Sequence, residues 1–222
     1  MDHYPIGQKE IALMSNSLFI SFEGIDGSGK STQCKMLYHF LLDHGFKVHL
    51  YREPGGTNIS EKIRDILLDK ENVEMASVTE MLLYFASRSQ LIEEKVIPAL
   101  KRGEIVLLDR FVDSTVAYQG YGRNLSLDHI SKIAEVAIGE VWPELTILVD
   151  TPLETAENRM DSRELDRLEA ENAAFKTRTR SGYLALAEEE PQRFLILDGT
   201  QEIDVLQTQI RQRIAQRLDI SL

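Results

Sequence analysis

The 222-residue chain has one cysteine, Cys34, which excludes an internal disulfide. It falls in a helical pattern and reads as a small core residue rather than a reactive thiol. No apolar run approaches the roughly 20 residues needed to span a bilayer. The first seventeen residues are polar, partly acidic and lack the apolar centre of a secretory signal, so a cytoplasmic protein is expected. Positive charge is scarce: 25 Lys and Arg stand against 36 Asp and Glu, a net charge of −11 at pH 7. That balance argues against a general surface for polymeric nucleic acid or an anionic membrane. Any basic site must be a local pocket. Repeats, low-complexity tracts and linkers are also absent, and 43% hydrophobic content suits one sizeable core. Residues 1–16 read as an extension with no catalytic role, and Met14 offers an alternative start. Residues 17–222 read as a single domain carrying a short mobile segment at about 158–168.

What the chain does have is Gly24-Ile25-Asp26-Gly27-Ser28-Gly29-Lys30-Ser31, followed by Thr32, which fits G-x-x-x-x-G-K-[ST]. Leu18 to Phe22 is a short apolar run suited to a buried strand, and residues 30–44 carry Met36, Leu37, Phe40 and Leu41 on one helical face before Gly45. Strand, glycine loop and helix stand in the order a phosphate cradle requires. Glycines let successive N–H groups point at phosphate oxygens, and the helix N-terminus adds positive potential. Lys30 would bridge the β- and γ-phosphates and the Ser31 hydroxyl would ligate magnesium. This motif implies nucleoside triphosphate binding without naming a reaction.

Further strands are predicted at 47–52, 104–109, 144–150 and 194–198, alternating with helices, which implies an α/β fold with a mainly parallel sheet. Glu53-Pro54-Gly55-Gly56-Thr57 is a fixed turn, with Arg52 at the exit of the strand before it. A helix is predicted over 77–101, opened by Ser77 and Glu80 as a capping box. On it, Tyr84 and Arg88 lie one turn apart. Spacing alone leaves open whether they clasp a base and an anion or form a surface cation–π pair. Asp109 ends a buried strand at the edge where open α/β sheets bind ligands, and fits a magnesium-associated position. Arg110 sets a fork-shaped cation beside it. Ser114, Thr115, Tyr118, Gln119 and Arg123 follow in a polar, glycine-punctuated stretch able to read a small ligand. Thr151 and Pro152 are read as the cap and first position of another helix. The charged run 158–167 reads either as a solvated face or as a lid whose arginine neutralises a transferring group.

Taken together, Phe22 to Thr32, Arg52-Glu53-Pro54-Gly55-Gly56-Thr57, Asp109-Arg110-Phe111, Ala117-Tyr118-Gln119-Gly120 and Glu164-Leu165-Asp166-Arg167 resemble the thymidylate kinase family, in its order and over residues 18–215. The resemblance implies a three-layer P-loop fold with five strands, usually in a homodimer. It implies magnesium-dependent transfer of the ATP γ-phosphoryl group to thymidine 5′-monophosphate, on the route to dTTP. By that resemblance Asp26 contacts the acceptor sugar or its magnesium shell, and Tyr84 stacks on thymine. Arg88 pairs with a base carbonyl, Thr115 and Gln119 frame the base, and Tyr118 closes over the sugar. Arg52 and Arg110 hold the acceptor phosphate, and Asp109 lies near the metal.

Two departures stand out. Some members carry an arginine within the phosphate loop where this chain has Gly27, so a lid arginine should supply that charge, Arg163 in preference to Arg159. The ring expected to stack on thymine is often Phe, and here it is Tyr84. A kinase acting on a nucleoside hydroxyl would instead need a proton acceptor, for which Glu23 is nearest in sequence. A nucleotide-gated switch is a further class, but the Asn-Lys-x-Asp base-reading motif of GTPases is missing.

Overall fold

A computed structural model describes residues 17–160 and 166–218. At its centre β1 (Leu18–Glu23) is buried along its whole length, as a strand must be when both faces of a parallel sheet are covered. It pairs in parallel with β3 (Ile105–Asp109) on one side and β4 (Leu145–Asp150) on the other. β2 (Val48–Arg52) and β5 (Phe194–Asp198) complete the all-parallel order β2-β3-β1-β4-β5. The five strands thus match the predicted ones to within a residue or so at each end.

Alternation along β1 assigns its two faces. Leu18, Ile20 and Phe22 pack against Cys34, Leu37 and Leu41 of α1 (Lys30–Asp43) and Leu206, Ile210 and Ile214 of α9 (Ile203–Leu218). Phe19 faces the other way, with Val106 and Leu108, toward Met81, Phe85 and Leu91 of α3 (Ser77–Leu91) and Ile130 and Ala134 of α6 (Leu127–Ile138). Each such side chain contributes about 1.5–3 kcal/mol by leaving water. Cys34 is 1% exposed, in keeping with its reading as core. A third cluster joins Ile25, Leu148 and Phe194 to Phe175 and Tyr183 of α8 (Ala173–Glu189). Among the described residues the remaining helices are α2 (Asn58–Leu68), α4 (Ile97–Lys101), α5 (Val112–Thr115), which runs on into a π-helical stretch at Val116–Gly122, and α7 (Leu153–Asn158).

Three local expectations need correction. The helix predicted over 77–101 is interrupted by a π-helical turn at Ile92–Val96. Pro98 follows at once and has no N–H to donate to the carbonyl four residues back, so the helix widens before it. Ser77 does not cap α3 and Glu80 does not close a capping box: the N-cap is Ala76, without a side-chain bond, and Glu80 is fully buried elsewhere. Thr151 does not cap α7 either. Pro152 takes that position, and the Thr151 hydroxyl donates to the Ser28 carbonyl at 3.3 Å. Long-range contacts claim both side chains. The proposed extension at 1–16 and the family-like Glu164 and Leu165 lie outside the described residues.

Candidate active site

All five strands point their carboxyl ends to one rim, and the loop after β1 curls over it. Gly27 has φ 78°, and a β-carbon there would lie 2.2 Å from the carbonyl oxygen of Ala156 in α7. A side chain at this position, arginine included, has no room because α7 sits on the loop. Gly24, φ 139°, is pressed to 2.5 Å from the Val149 carbonyl in the same sense. The loop is thus fixed by backbone contacts that only glycine permits. Lys30 folds back along it, donating to the Ile25 carbonyl at 3.4 Å with its ammonium 3.6 Å from Asp26. Burial and then the neighbouring Arg110 lower the Lys30 pKa.

Arg110 is the hub. Its φ of 75° is left-handed, which costs an ordinary residue about 1 kcal/mol. Its Nη2 donates to Asp26 Oδ1 at 2.6 Å and to the Tyr118 hydroxyl at 3.2 Å. Its Nη1 donates to the Gly24 carbonyl at 3.0 Å, Tyr183 at 3.1 Å and Ser114 at 3.2 Å. Tyr118 in turn donates to the other Asp26 oxygen at 2.8 Å. Burial alone would raise the Asp26 carboxyl, but Arg110 and then Lys30 hold it well below the usual carboxylate range. Behind this hub, Glu23 accepts from the Phe111 N–H at 2.7 Å, Ser114 at 2.6 Å and Tyr183 at 3.0 Å. Burial, and next the charge of Asp113, push its pKa up to about 7. Glu23 is wholly buried and its oxygens are committed inward, so it does not offer a base to a hydroxyl acceptor.

The turn after β2 is held residue by residue. Gly55 N–H donates to Ser87 Oγ at 3.2 Å and Gly56 N–H to Glu61 at 2.7 Å, while Thr57 caps α2 by accepting from the Ser60 N–H at 3.1 Å. The Glu53–Pro54 peptide is cis. Arg52 ends β2 half-exposed, pairing with Glu61 at 3.0 Å. Arg88 is neither a surface cation nor stacked on Tyr84. It is 1% exposed, lies 5.3 Å from the rings of both Phe85 and Phe111, and pairs with Glu53 at 2.7 Å. Its Nη1 donates to Thr115 Oγ1 at 2.9 Å. Burial outweighs that pairing and raises Glu53 to about 7.

These groups surround an open cleft of about 620 Å³, a size suited to a small-molecule site. Its lining includes Asp26, Gly27, Gly29, Lys30, Ser31 and Thr32 of the loop and helix after β1, and Asp109 and Arg110 at the end of β3. Arg52, Tyr84, Thr115, Tyr118 and Gln119 line the same cleft. The structure therefore brings together nearly every residue singled out from sequence. Gly24, Ile25, Ser28 and Arg88 stand just behind the lining. Arg163 lies outside the described residues. Arg159 is described: its guanidinium crosses the loop, donating to the Ser28 carbonyl at 3.2 Å and the Gly199 carbonyl at 2.9 Å. Sequence reading missed Tyr183, and also Arg64, which lines the cleft and donates to the Pro54 carbonyl at 2.9 Å. Tyr183 carries no local signal, since it meets Glu23 across 160 positions.

Comparison with known proteins agrees with this geometry. The family model described as thymidylate kinase matches residues 22–210. The chain is 52% identical over 185 residues to the thymidylate kinase of Thermoanaerobacter sp. (strain X514), covering 83% of this chain and 91% of that one. Against the Desulforudis audaxviator enzyme it is 48% identical over 200 residues, 90% of each. The crystal structure of thymidylate kinase from Ehrlichia chaffeensis superposes with a TM-score of 0.74 at 31% identity, covering 90% of this chain and 98% of that one. The family match over residues 22–210, this level of identity and the shared fold make the chain a member of the thymidylate kinase family.

Proposed function

We propose that this chain transfers the γ-phosphoryl group of ATP to thymidine 5′-monophosphate, giving the diphosphate and feeding the route to dTTP. The observation that carries the proposal is the position of Arg110, which ties Asp26 of the phosphate loop to Tyr118 within one cleft. The acceptor is a phosphate oxygen whose second ionisation lies near pH 6, so it is largely deprotonated at pH 7. It needs no general base, which accords with the inward commitment of Glu23. The obstacle is repulsion between two polyanions, met by alignment and fixed positive charge.

Lys30 and the loop N–H groups bind the donor phosphates. Arg110 and Arg52 hold the acceptor phosphate, Asp26 and Tyr118 meet the sugar, and Tyr84 stacks on the base beside Thr115 and Gln119. Arg88, behind Thr115, steadies that wall and supplies a donor toward a base carbonyl. A lid arginine neutralises the transferring group: Arg163, or Arg159, whose contact with the loop favours it. Ser31 and Asp109 line the same cleft and are hard oxygen donors. They fit magnesium, which binds through few protein oxygens and completes its shell with water and substrate phosphates. When bound, the ion neutralises phosphate charge.

Among the described residues no helix is long and apolar enough to cross a membrane, and we assign the protein to the cytoplasm. We also assign a homodimer. Ile59 and Ile66 on α2, with Val78 and Leu82 on α3, are exposed apolar side chains on adjacent helices and support such a contact. Sedimentation velocity tests the dimer. For the activity, ATP is paired with each nucleoside monophosphate and with thymidine. Acceptor-dependent ADP release with thymidylate is expected. Turnover of thymidine but not its monophosphate overturns the assignment.

A further inference from the structure

Glu80 has no exposed surface, yet four polar contacts converge on it. Its Oε1 accepts from Gln119 Nε2 at 2.9 Å and Arg123 Nε at 3.2 Å. Its Oε2 meets Arg123 Nη2 at 3.1 Å and Arg167 Nη1 at 2.6 Å. Arg123 is itself braced by Glu171 and by the Phe175 ring, 4.7 Å from its guanidinium carbon. Two guanidinium groups on one buried carboxyl favour its ionised form against the cost of burial.

An ionised carboxylate can only accept hydrogen bonds. The planar amide of Gln119 must therefore turn its nitrogen to Glu80, which leaves its carbonyl oxygen at the opposite corner. Gln119 lines the cleft, and among the described residues that oxygen has no hydrogen-bond partner. One turn earlier, Thr115 accepts from Arg88, so its hydroxyl proton is free to be donated. The cleft lining thus includes a fixed acceptor on Gln119 and, one turn away, a donor on Thr115.

We infer that Glu80 is a positioning residue that sets base specificity. By fixing which way the Gln119 amide points, it makes the cleft select a ring with an N–H donor between two carbonyls. Thymine and uracil carry that pattern. Cytosine presents a bare ring nitrogen at the same place, so two acceptors would face each other, desolvated and unpaired. This deepens the proposed function and rests on thymidylate being the acceptor.

The test measures kcat/KM with ATP and dTMP, dUMP or dCMP for the wild type, Glu80→Gln and Gln119→Met. dUMP has the ring N–H without the methyl group, so it separates amide polarity from methyl recognition. In Glu80→Gln a neutral amide accommodates either orientation of Gln119. The preference for dTMP and dUMP over dCMP is expected to fall about tenfold or more, with KM for dTMP rising more than kcat falls. Gln119→Met removes the oriented acceptor while leaving Glu80 paired with both arginines, and is expected to lose the same preference. Should Glu80→Gln fail to fold, Glu80→Asp, which draws the carboxylate back from Gln119, takes its place with the same expected loss. A folded variant that keeps the wild-type dTMP-to-dCMP ratio within about twofold overturns the inference, because a purely structural role lowers all three values together. A wild type inactive on dTMP overturns the functional reading and the inference with it. An active wild type with unchanged variant ratios overturns only the role of Glu80.

Discussion

Arg110 Nη2 stands 2.6 Å from Asp26 Oδ1 while Tyr118 closes the other side of the same carboxylate at 2.8 Å. The cation that would face substrate is thus also a structural clamp. Arg110 has 15% of its side chain exposed, four side-chain partners and the Gly24 carbonyl, so Arg110→Ala should cost about 2–4 kcal/mol by leaving Asp26 with only Lys30 and Tyr118. Urea denaturation measures this, with kcat/KM for dTMP falling at the same time and circular dichroism still showing a folded chain. Arg110→Gly should be about 1 kcal/mol more stable than Arg110→Ala, because glycine removes the left-handed backbone penalty at φ 75°. Equal stability of the two would mean the backbone is not strained there.

Gly27→Ala should destabilise the protein by about 2 kcal/mol or more and weaken ATP binding, since its β-carbon meets the Ala156 backbone at 2.2 Å. Gly45→Ala is the control. Its φ of 81° is similar, but nothing lies within 4 Å of the added carbon, so only the backbone cost of about 1 kcal/mol should appear. Denaturation midpoints and ATP titration of both variants separate contact from conformation.

Arg159→Ala should leave stability within about 1 kcal/mol of wild type, because the loop partners of its guanidinium are neutral carbonyls. Its kcat should fall more than its affinity for dTMP. Arg163→Ala is expected to act in the same direction. Single-turnover rates with each variant decide which arginine serves transfer, and an unchanged rate returns that residue to the solvated surface.

Stability should fall as pH rises from about 4.5 to about 7, and level off above. Glu23 has an ordinary value of 4.5 when unfolded and about 7 when folded. The folded state holds that proton more tightly, so its contribution is complete below pH 4.5 and lost as pH passes through 7. The slope for one proton is at most about 1.4 kcal/mol per pH unit. Glu53, also raised to about 7, adds a decline of the same sign. Glu23→Gln should therefore flatten the curve of melting temperature against pH without abolishing its slope. A variant as steep as wild type excludes Glu23 as the source.

Elements that carry their own periodicity were legible in the chain. β1 reads as buried because it is packed on both faces, and the glycine loop reads as a cradle because its spacing is local. Side chains whose partners are distant were not. Glu80 looked like a capping residue three positions after Ser77, but Gln119, Arg123 and Arg167 draw it inward. Arg88 was undecided by spacing because Glu53 and Phe111, which settle its burial, lie 35 and 23 positions away. Thr151 likewise followed the capping pattern until Ser28 claimed its hydroxyl.

The inward turn of Glu23 also bears on wasted fuel. Water, unlike a phosphate oxyanion, must shed a proton to attack ATP well. Of the two carboxyls raised to about 7, Glu23 is sealed among Phe111, Ser114 and Tyr183, and Glu53 is buried against Arg88. Asp26, within the loop, is too feeble a base to replace them. A cleft arranged this way is expected to spare its donor nucleotide from futile hydrolysis while it waits for a partner.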